Sequence, residues 1–242
     1  MSEPLCHSLR EGPWRVLVAS GYRAPAVELL RGLPARAVLR DDKRSRVIRL
    51  DNLPGMAESA AGLVLKIPRW QDGRFWNRLT TLWREGESRR AFRRALRLQG
   101  LGIPAPRPVM QWERRAWGCV VESGWLYEYA QGDPVDERHW PEVIRLLGRL
   151  HAAGLAHGDP HLANWIQHQG QVIALDCAPH RSPWPALAAA YDFVLLRNCE
   201  PRLEALLPGT HSVWWRLALA RDAWVHGLRR LKRWLRGRPA GQ

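Results

Sequence analysis

His157-Gly158-Asp159-Pro160-His161-Leu162-Ala163-Asn164, followed after a short polar hairpin by Val172-Ile173-Ala174-Leu175-Asp176, is the stretch whose reading decides the fold. It carries a carboxylate, a side-chain amide five positions later, and a second carboxylate on the apolar strand that follows. Phosphoryl transfer uses groups in that order: a base orients the attacking hydroxyl, while an amide and a carboxylate hold the metal on the nucleotide phosphates. Upstream, the run from Val143 to Gly154 has apolar residues at helical spacing and ends on a glycine suited to a C-cap. Asp159 and Asn164 could do no more than cap a turn. A cap, however, does not call for a second carboxylate at the next strand end.

A competing chemistry takes His157, Asp159, His161 and Asp176 as ligands of a hydrolytic zinc or iron centre. Two histidines four apart share a metal readily on a helix, but Gly158 and Pro160 make this segment a loop. Such a centre also leaves Asn164 without a purpose.

The chain has 242 residues, enough for one large domain or two lobes around a cleft. Its formal net charge of +14 and its 14 tryptophans are unusual, and they favour an anionic partner such as a phosphorylated glycan, an acidic membrane surface or nucleic acid. The N-terminus lacks the pattern of a signal peptide, and no apolar run reaches the roughly 20 residues of a spanning helix, so a cytoplasmic protein is expected. Cys6, Cys119, Cys177 and Cys199 have neither zinc nor disulfide spacing.

Between Ala35 and Pro68 strand-like runs alternate with turns: Ala37 to Arg40, Val47 to Leu50 and Gly62 to Ile67 read as three antiparallel strands. Lys66 sits inside the last of them, where a charge is costly unless paired, and it suits contact with nucleotide phosphates. A solvent-facing lysine at a strand edge is the plainer reading. Residues 75 to 99 read as helix, with Glu87 and then Glu85 as candidate partners for Lys66; both carboxylates could equally serve the helix dipole. Ile103 to Pro108 reads as a stiff extended connection, Trp117 to Val121 and Trp125 to Ala130 as two strands, and Gln131 to Pro134 as a turn. Beyond Pro141, all but the loop and hairpin reads as helix. In the apolar run Ala188 to Leu196, the single carboxylate of Asp192 is expected to be buried and to accept backbone N–H bonds from the loop at His157.

The C-terminal stretch carries Trp214, Trp215, Trp224 and Trp234 among Arg216, Arg221, Arg229, Arg230, Lys232, Arg233, Arg236 and Arg238. Leu228, Leu231 and Leu235 fall on one face, the pattern of a helix lying on an anionic bilayer. A basic helix packed on its own lobe with solvated charges is the alternative.

With Lys66, the loop from His157 to Asn164, and Asp176 in view, the chain resembles the lipopolysaccharide core kinases, most of all their heptose kinase branch, over roughly residues 35 to 236. The resemblance includes Glu128-Tyr129-Ala130-Gln131-Gly132 and the basic tail. It implies an α+β, bilobal, protein-kinase-like fold: a small antiparallel-sheet lobe over residues 1–130 that binds nucleotide, and a mainly helical lobe over 131–242. It implies ATP and Mg2+ as cofactors and a heptose hydroxyl of the lipopolysaccharide inner core as acceptor, at the cytoplasmic face of the inner membrane. Neither nucleic acid nor an obligate protein partner is expected.

Carried onto matching positions, the resemblance makes Asp159 the base, Asn164 and Asp176 the metal ligands, and Lys66 the contact to the α- and β-phosphates, with Glu87 its candidate partner. Glu128, Tyr129 and Ala130 mark the hinge where adenine bonds backbone groups, and His161 stands where protein kinases place a lysine near the transferred phosphate. Two departures stand out. The hairpin Asp41 to Arg46 has no glycine to cradle phosphates, which leaves Lys43, Arg44 or Ser45 as substitutes, and Cys177-Ala178 follows Asp176 in place of Phe-Gly. A kinase for another small hydroxylated acceptor and a catalytically silent fold that binds membrane or nucleic acid are the alternatives.

Overall fold

The computed structural model describes residues 6–23, 25–27, 30, 37–50, 62–69 and 75–235. The chain divides into two compact units, Met1–Gly132 and Asp133–Gln242.

The first unit is built on a seven-stranded sheet of order β1-β2-β6-β7-β5-β4-β3, every pair antiparallel. Its strands are β1 (Cys6–Glu11), β2 (Trp14–Ala19), β3 (Ala37–Asp41), β4 (Ser45–Leu50), β5 (Leu63–Pro68), β6 (Pro108–Ala116) and β7 (Cys119–Glu128). Alternation along these strands makes two apolar faces. One buries Trp14, Val16, Val18, Met110, Trp112 and Leu126. The other buries Leu17 and Ala19 under Phe92 and Leu96 of helix α2 (Glu87–Gly100).

The three strands expected from Ala37 to Ile67 are present as β3, β4 and β5. The connection expected from Ile103 to Pro108 carries neither helix nor strand up to Arg107, but Pro108 opens β6, a strand that was not expected, and the two short strands expected after it merge into its hairpin partner, β7. The hairpin's two-residue turn is Trp117-Gly118, both at positive φ, as a tight turn matching sheet twist requires. A tryptophan in that conformation is not a turn signal, so the hairpin is hidden in the sequence. Gly124 in β7 lies under the indole of Trp112, where an added Cβ would stand 2.3 Å from the ring. The helix expected over 75–99 is broken into α1 (Phe75–Leu79), a short 3-10 turn and α2. Thr81 in that turn is buried; its hydroxyl donates to the Arg78 carbonyl and accepts the Val120 N–H, so a bond to the hairpin overrides helical continuity.

The second unit is mainly helical: α3 (Trp140–Ala152), α4 (Pro185–Cys199) and α5 (Val213–Leu235). The three-residue-and-four spacing of Val143, Leu146, Leu147 and Leu150 buries one side of α3. Between α3 and α4 lie four short strands, β9 (Leu155–Ala156), β10 (Trp165–His168), β11 (Gln171–Ala174) and β12 (His180–Arg181). β10 and β11 form the hairpin expected after Asn164, and β8 (Asp133–Pro134) joins its edge where a turn was expected. β12 pairs with β9, closing the segment that carries the loop.

Candidate functional site

The loop between β9 and β10 is organised from beneath by one carboxylate. Asp192, 1% exposed in the middle of α4, accepts the backbone N–H of His157 at 2.6 Å and that of Gly158 at 2.9 Å. The sequence reading expects both burial and this partnership. His151 on α3 adds a third contact, with its Nε2 2.9 Å from Asp192 Oδ2 and its ring edge-on to Phe193. Three partners satisfy a charge that would otherwise be too costly to bury. Gly158 sits at φ +88°, a conformation other residues rarely adopt, so the glycine is what lets successive N–H groups turn toward the carboxylate.

His157 is wholly buried and tilted against the Trp165 indole. Its Nδ1 accepts the N–H of Asp159 at 3.3 Å, a structural role that ties the ring to the loop. Burial pushes the His157 imidazole below its ordinary 6.5, opposed by Asp192, Asp159 and Asp176. Among the described residues, no group of three or more His, Cys, Asp or Glu side chains is arranged to hold a metal, so the hydrolytic-metal reading finds no support.

Above His157 the loop presents its polar groups to solvent. Asp159 is exposed, and its Oδ1 is 3.2 Å from His161 Nε2. Asn164 spends its amide N–H on the Asp159 carbonyl at 2.9 Å, which leaves its Oδ1 as the atom available to a cation. The Asn164 carbonyl in turn accepts the Leu175 N–H at 2.8 Å, locking the loop to the residue before Asp176. Asn164 and Asp176 offer two hard oxygens on a braced loop, the donor chemistry magnesium takes when substrate phosphates complete its shell. Sequence reasoning missed Cys199, whose Sγ contacts His161 Nδ1 and donates to the Leu195 carbonyl. Cys199 lies seven residues from Asp192 on α4, two turns along the same face, and that spacing was the available signal.

In the first unit Lys66 is half-buried on β5, across from Val47 and Trp125. Among the described residues no ion pair joins it to Glu87 or Glu85: Glu85 pairs with Arg89 and Arg93, and Glu87 opens α2. The hinge residues are tied within this unit. The Glu128 N–H goes to the Arg107 carbonyl and the Tyr129 N–H to that of Gly62. Glu128 also accepts the Tyr22 hydroxyl at 2.6 Å, and burial pushes that phenol up. At the glycine-free hairpin, Asp42 accepts the N–H groups of Arg44 and Ser45, which hold its carboxyl down at about 2. A carboxylate therefore takes the backbone donors that a glycine loop offers to phosphate.

No family model matches the chain, and no curated protein matches it. Among solved structures, the chain is similar to WaaP in complex with acyl carrier protein, at 17% identity and a TM-score of 0.47 over 72% of this chain and 73% of that one. It is similar to a double mutant of the Mycobacterium tuberculosis PknI kinase domain, at 17% identity and a TM-score of 0.37 over 70% and 81%. It is also similar to the Legionella pneumophila Lpg2603 kinase bound to IP6, at 12% identity and a TM-score of 0.40 over 79% and 70%. The fold is α+β, with an antiparallel sheet in one unit and mainly helix in the other.

Two outcomes are expected. Asp192→Ala leaves two buried loop N–H groups without an acceptor and should lower stability by about 2–4 kcal/mol, read by urea denaturation. His157 is neutral when folded and takes up a proton more readily when unfolded, so stability should fall as pH drops below 6.5. His157→Asn should flatten that slope below about pH 6.5 in melts run across the acid range.

Proposed function

We propose that the chain is an ATP- and magnesium-dependent kinase that phosphorylates a heptose hydroxyl of the lipopolysaccharide inner core at the cytoplasmic face of the inner membrane. The observation that supports phosphoryl transfer is the braced loop, in which Asp159, Asn164 and the Leu175-Asp176 strand end are tied together by backbone bonds anchored on Asp192. Such catalysis is mostly positioning and electrostatics, so a pre-set loop supplies much of it.

In this reading Asp159 orients the acceptor hydroxyl and takes its proton. His161, beside it, donates a hydrogen bond to the transferred phosphoryl group, and does so more strongly when charged. Asn164 and Asp176 would hold magnesium, which neutralises developing charge on the nucleotide phosphates. Lys66 meets the α- and β-phosphates. With the Glu128 and Tyr129 N–H groups already spent, Ala130 is the hinge donor left for adenine. The heptose acceptor rests on the sequence resemblance and on the net charge of +14, which suits an anionic glycolipid better than a cationic acceptor.

Helix α5 supports the membrane part of the reading. Trp215 and Ala218 bury one face of it, and Asp222 accepts from Asn198 of α4. The opposite side exposes Trp214, Leu217, Trp224, Leu228 and Leu231, spaced three, four or seven apart, with Arg216, Arg221, Arg230 and Lys232 around them. Among the described residues no helix is long and apolar enough to cross a membrane, and an interfacial helix needs neither property.

With labelled ATP, magnesium and dephosphorylated core oligosaccharide, the protein should transfer label, and Asp159→Ala should reduce the rate by about a hundredfold or more. Undiminished transfer in that variant would refute the role of Asp159. In co-sedimentation, replacing Trp224, Leu228 and Leu231 with Ser should weaken binding to anionic vesicles by about a hundredfold, with transfer to soluble oligosaccharide unchanged. Unaltered sedimentation would refute the membrane role of α5.

A further inference from the structure

The sheet face that carries α2 holds a cavity unrelated to the loop at Asp159. It measures about 430 Å³, and the residues that line it include Ser8, Arg10, Arg15, Leu17, Arg89 and Gln111 and no carboxylate. Arg10 and Arg15 stand directly opposite each other across β1 and β2. Like charges in that arrangement repel, so something that binds both would stabilise the pair. Arg10 donates to the Gly12 carbonyl, and among the described residues Arg15 makes no ion pair.

Most other charges nearby are engaged. Glu113, the cross-strand neighbour of Arg15 on β6, is buried and through Oε1 holds Arg115 at 3.0 Å and Arg89 at 3.8 Å, while its Oε2 has no hydrogen-bond partner among the described residues. Glu85 takes Arg89 and Arg93. Arg89 Nε has Glu85 at 3.3 Å but no aligned acceptor. The cavity keeps an excess of cation.

Gln111 supplies a second, independent observation. It is 1% exposed on β6, it lines this cavity, and its Oε1 is buried without a hydrogen-bond partner. Buried acceptors in native folds are nearly always met, so an orphan facing a cavity calls for a donor from outside the chain. A bare anion has none to give. A hydroxyl on the same molecule does.

We propose that this cavity binds a small hydroxylated anion, a phosphate or carboxylate carried on a sugar-like polyol. The guanidinium groups of Arg10 and Arg15 grip the anionic group in forked hydrogen bonds, Arg89 flanks it, and a ligand hydroxyl donates to Gln111 Oε1. The volume lies within the range of about 300–1,000 Å³ usual for small-molecule sites. The site uses none of Lys66, Asp159, Asn164 or Asp176, so it stands or falls apart from the kinase reading.

Isothermal titration of the full chain, with saturating ATP present, tests it using glucose 6-phosphate, glucuronate, inorganic phosphate and glucose. The two sugar anions should bind, more weakly as salt rises, and glucose should not. Arg10→Ala/Arg15→Ala, both at exposed positions, should weaken the sugar anions by about tenfold or more at an unchanged melting temperature. Gln111→Met, close in volume, should weaken the sugar anions while leaving inorganic phosphate unchanged. Three results would each overturn the proposal: no anion bound, equal binding by the double variant, or anion binding abolished by ATP. The single variant Arg15→Gln reads the same contact should the double variant fail to fold.

Discussion

One buried carboxylate carries the architecture of the candidate site. Asp192 sits in an apolar helix where an unpaired charge is strongly unfavourable, and it is stable there because two loop N–H groups and an imidazole converge on it. The dependence runs both ways. Among the described residues the loop donors have no other acceptor, so helix α4 and the loop fix each other, and Asp159 and Asn164 inherit their positions from that bond pair. His157, tucked under the loop and kept neutral by burial, fills the space between the Asp192 contacts and the exposed groups.

The parts of this arrangement legible in the sequence are those where chemistry constrains residue type. Asp192 stands out because one acid in an apolar run must find donors, and the nearest polar loop in need of an acceptor begins at His157. The helix α3, the hairpin β10–β11 and strands β3 to β5 announce themselves by periodicity and turn residues. What escaped was decided by tertiary contact. The β6–β7 hairpin turns at Trp117-Gly118, where a bulky residue adopts a left-handed backbone. The break before α2 exists because Thr81 bonds the N–H of Val120. Strands β1 and β2 complete the sheet from a stretch the sequence reading left without a role. Cys199 beside His161 follows from helix phase, but only once Asp192 is known to face the loop.

Charge is distributed with the same economy of partners. At the glycine-free hairpin, Asp42 takes the backbone donors of Arg44 and Ser45, so the turn is shaped by its own carboxylate. At the hinge, Glu128 is committed through its N–H and its side chain. Along α5 the division is between faces: Trp215 and Ala218 pack inward, while the exposed Trp and Leu residues share the outer surface with cations. Arg10 and Arg15 break the pattern, since they face one another beside an unpaired amide oxygen.

The central claim is that a loop anchored on Asp192 presents Asn164 and Asp176 to one nucleotide-bound metal ion. Nuclear magnetic resonance with Mn2+ in place of Mg2+ on ATP tests it most directly, because the paramagnetic ion broadens only nearby amide signals. The account predicts that the amide signals of both Asn164 and Asp176 vanish on adding Mn2+–ATP and persist with Mg2+–ATP. Both signals staying sharp while the nucleotide is bound would contradict it.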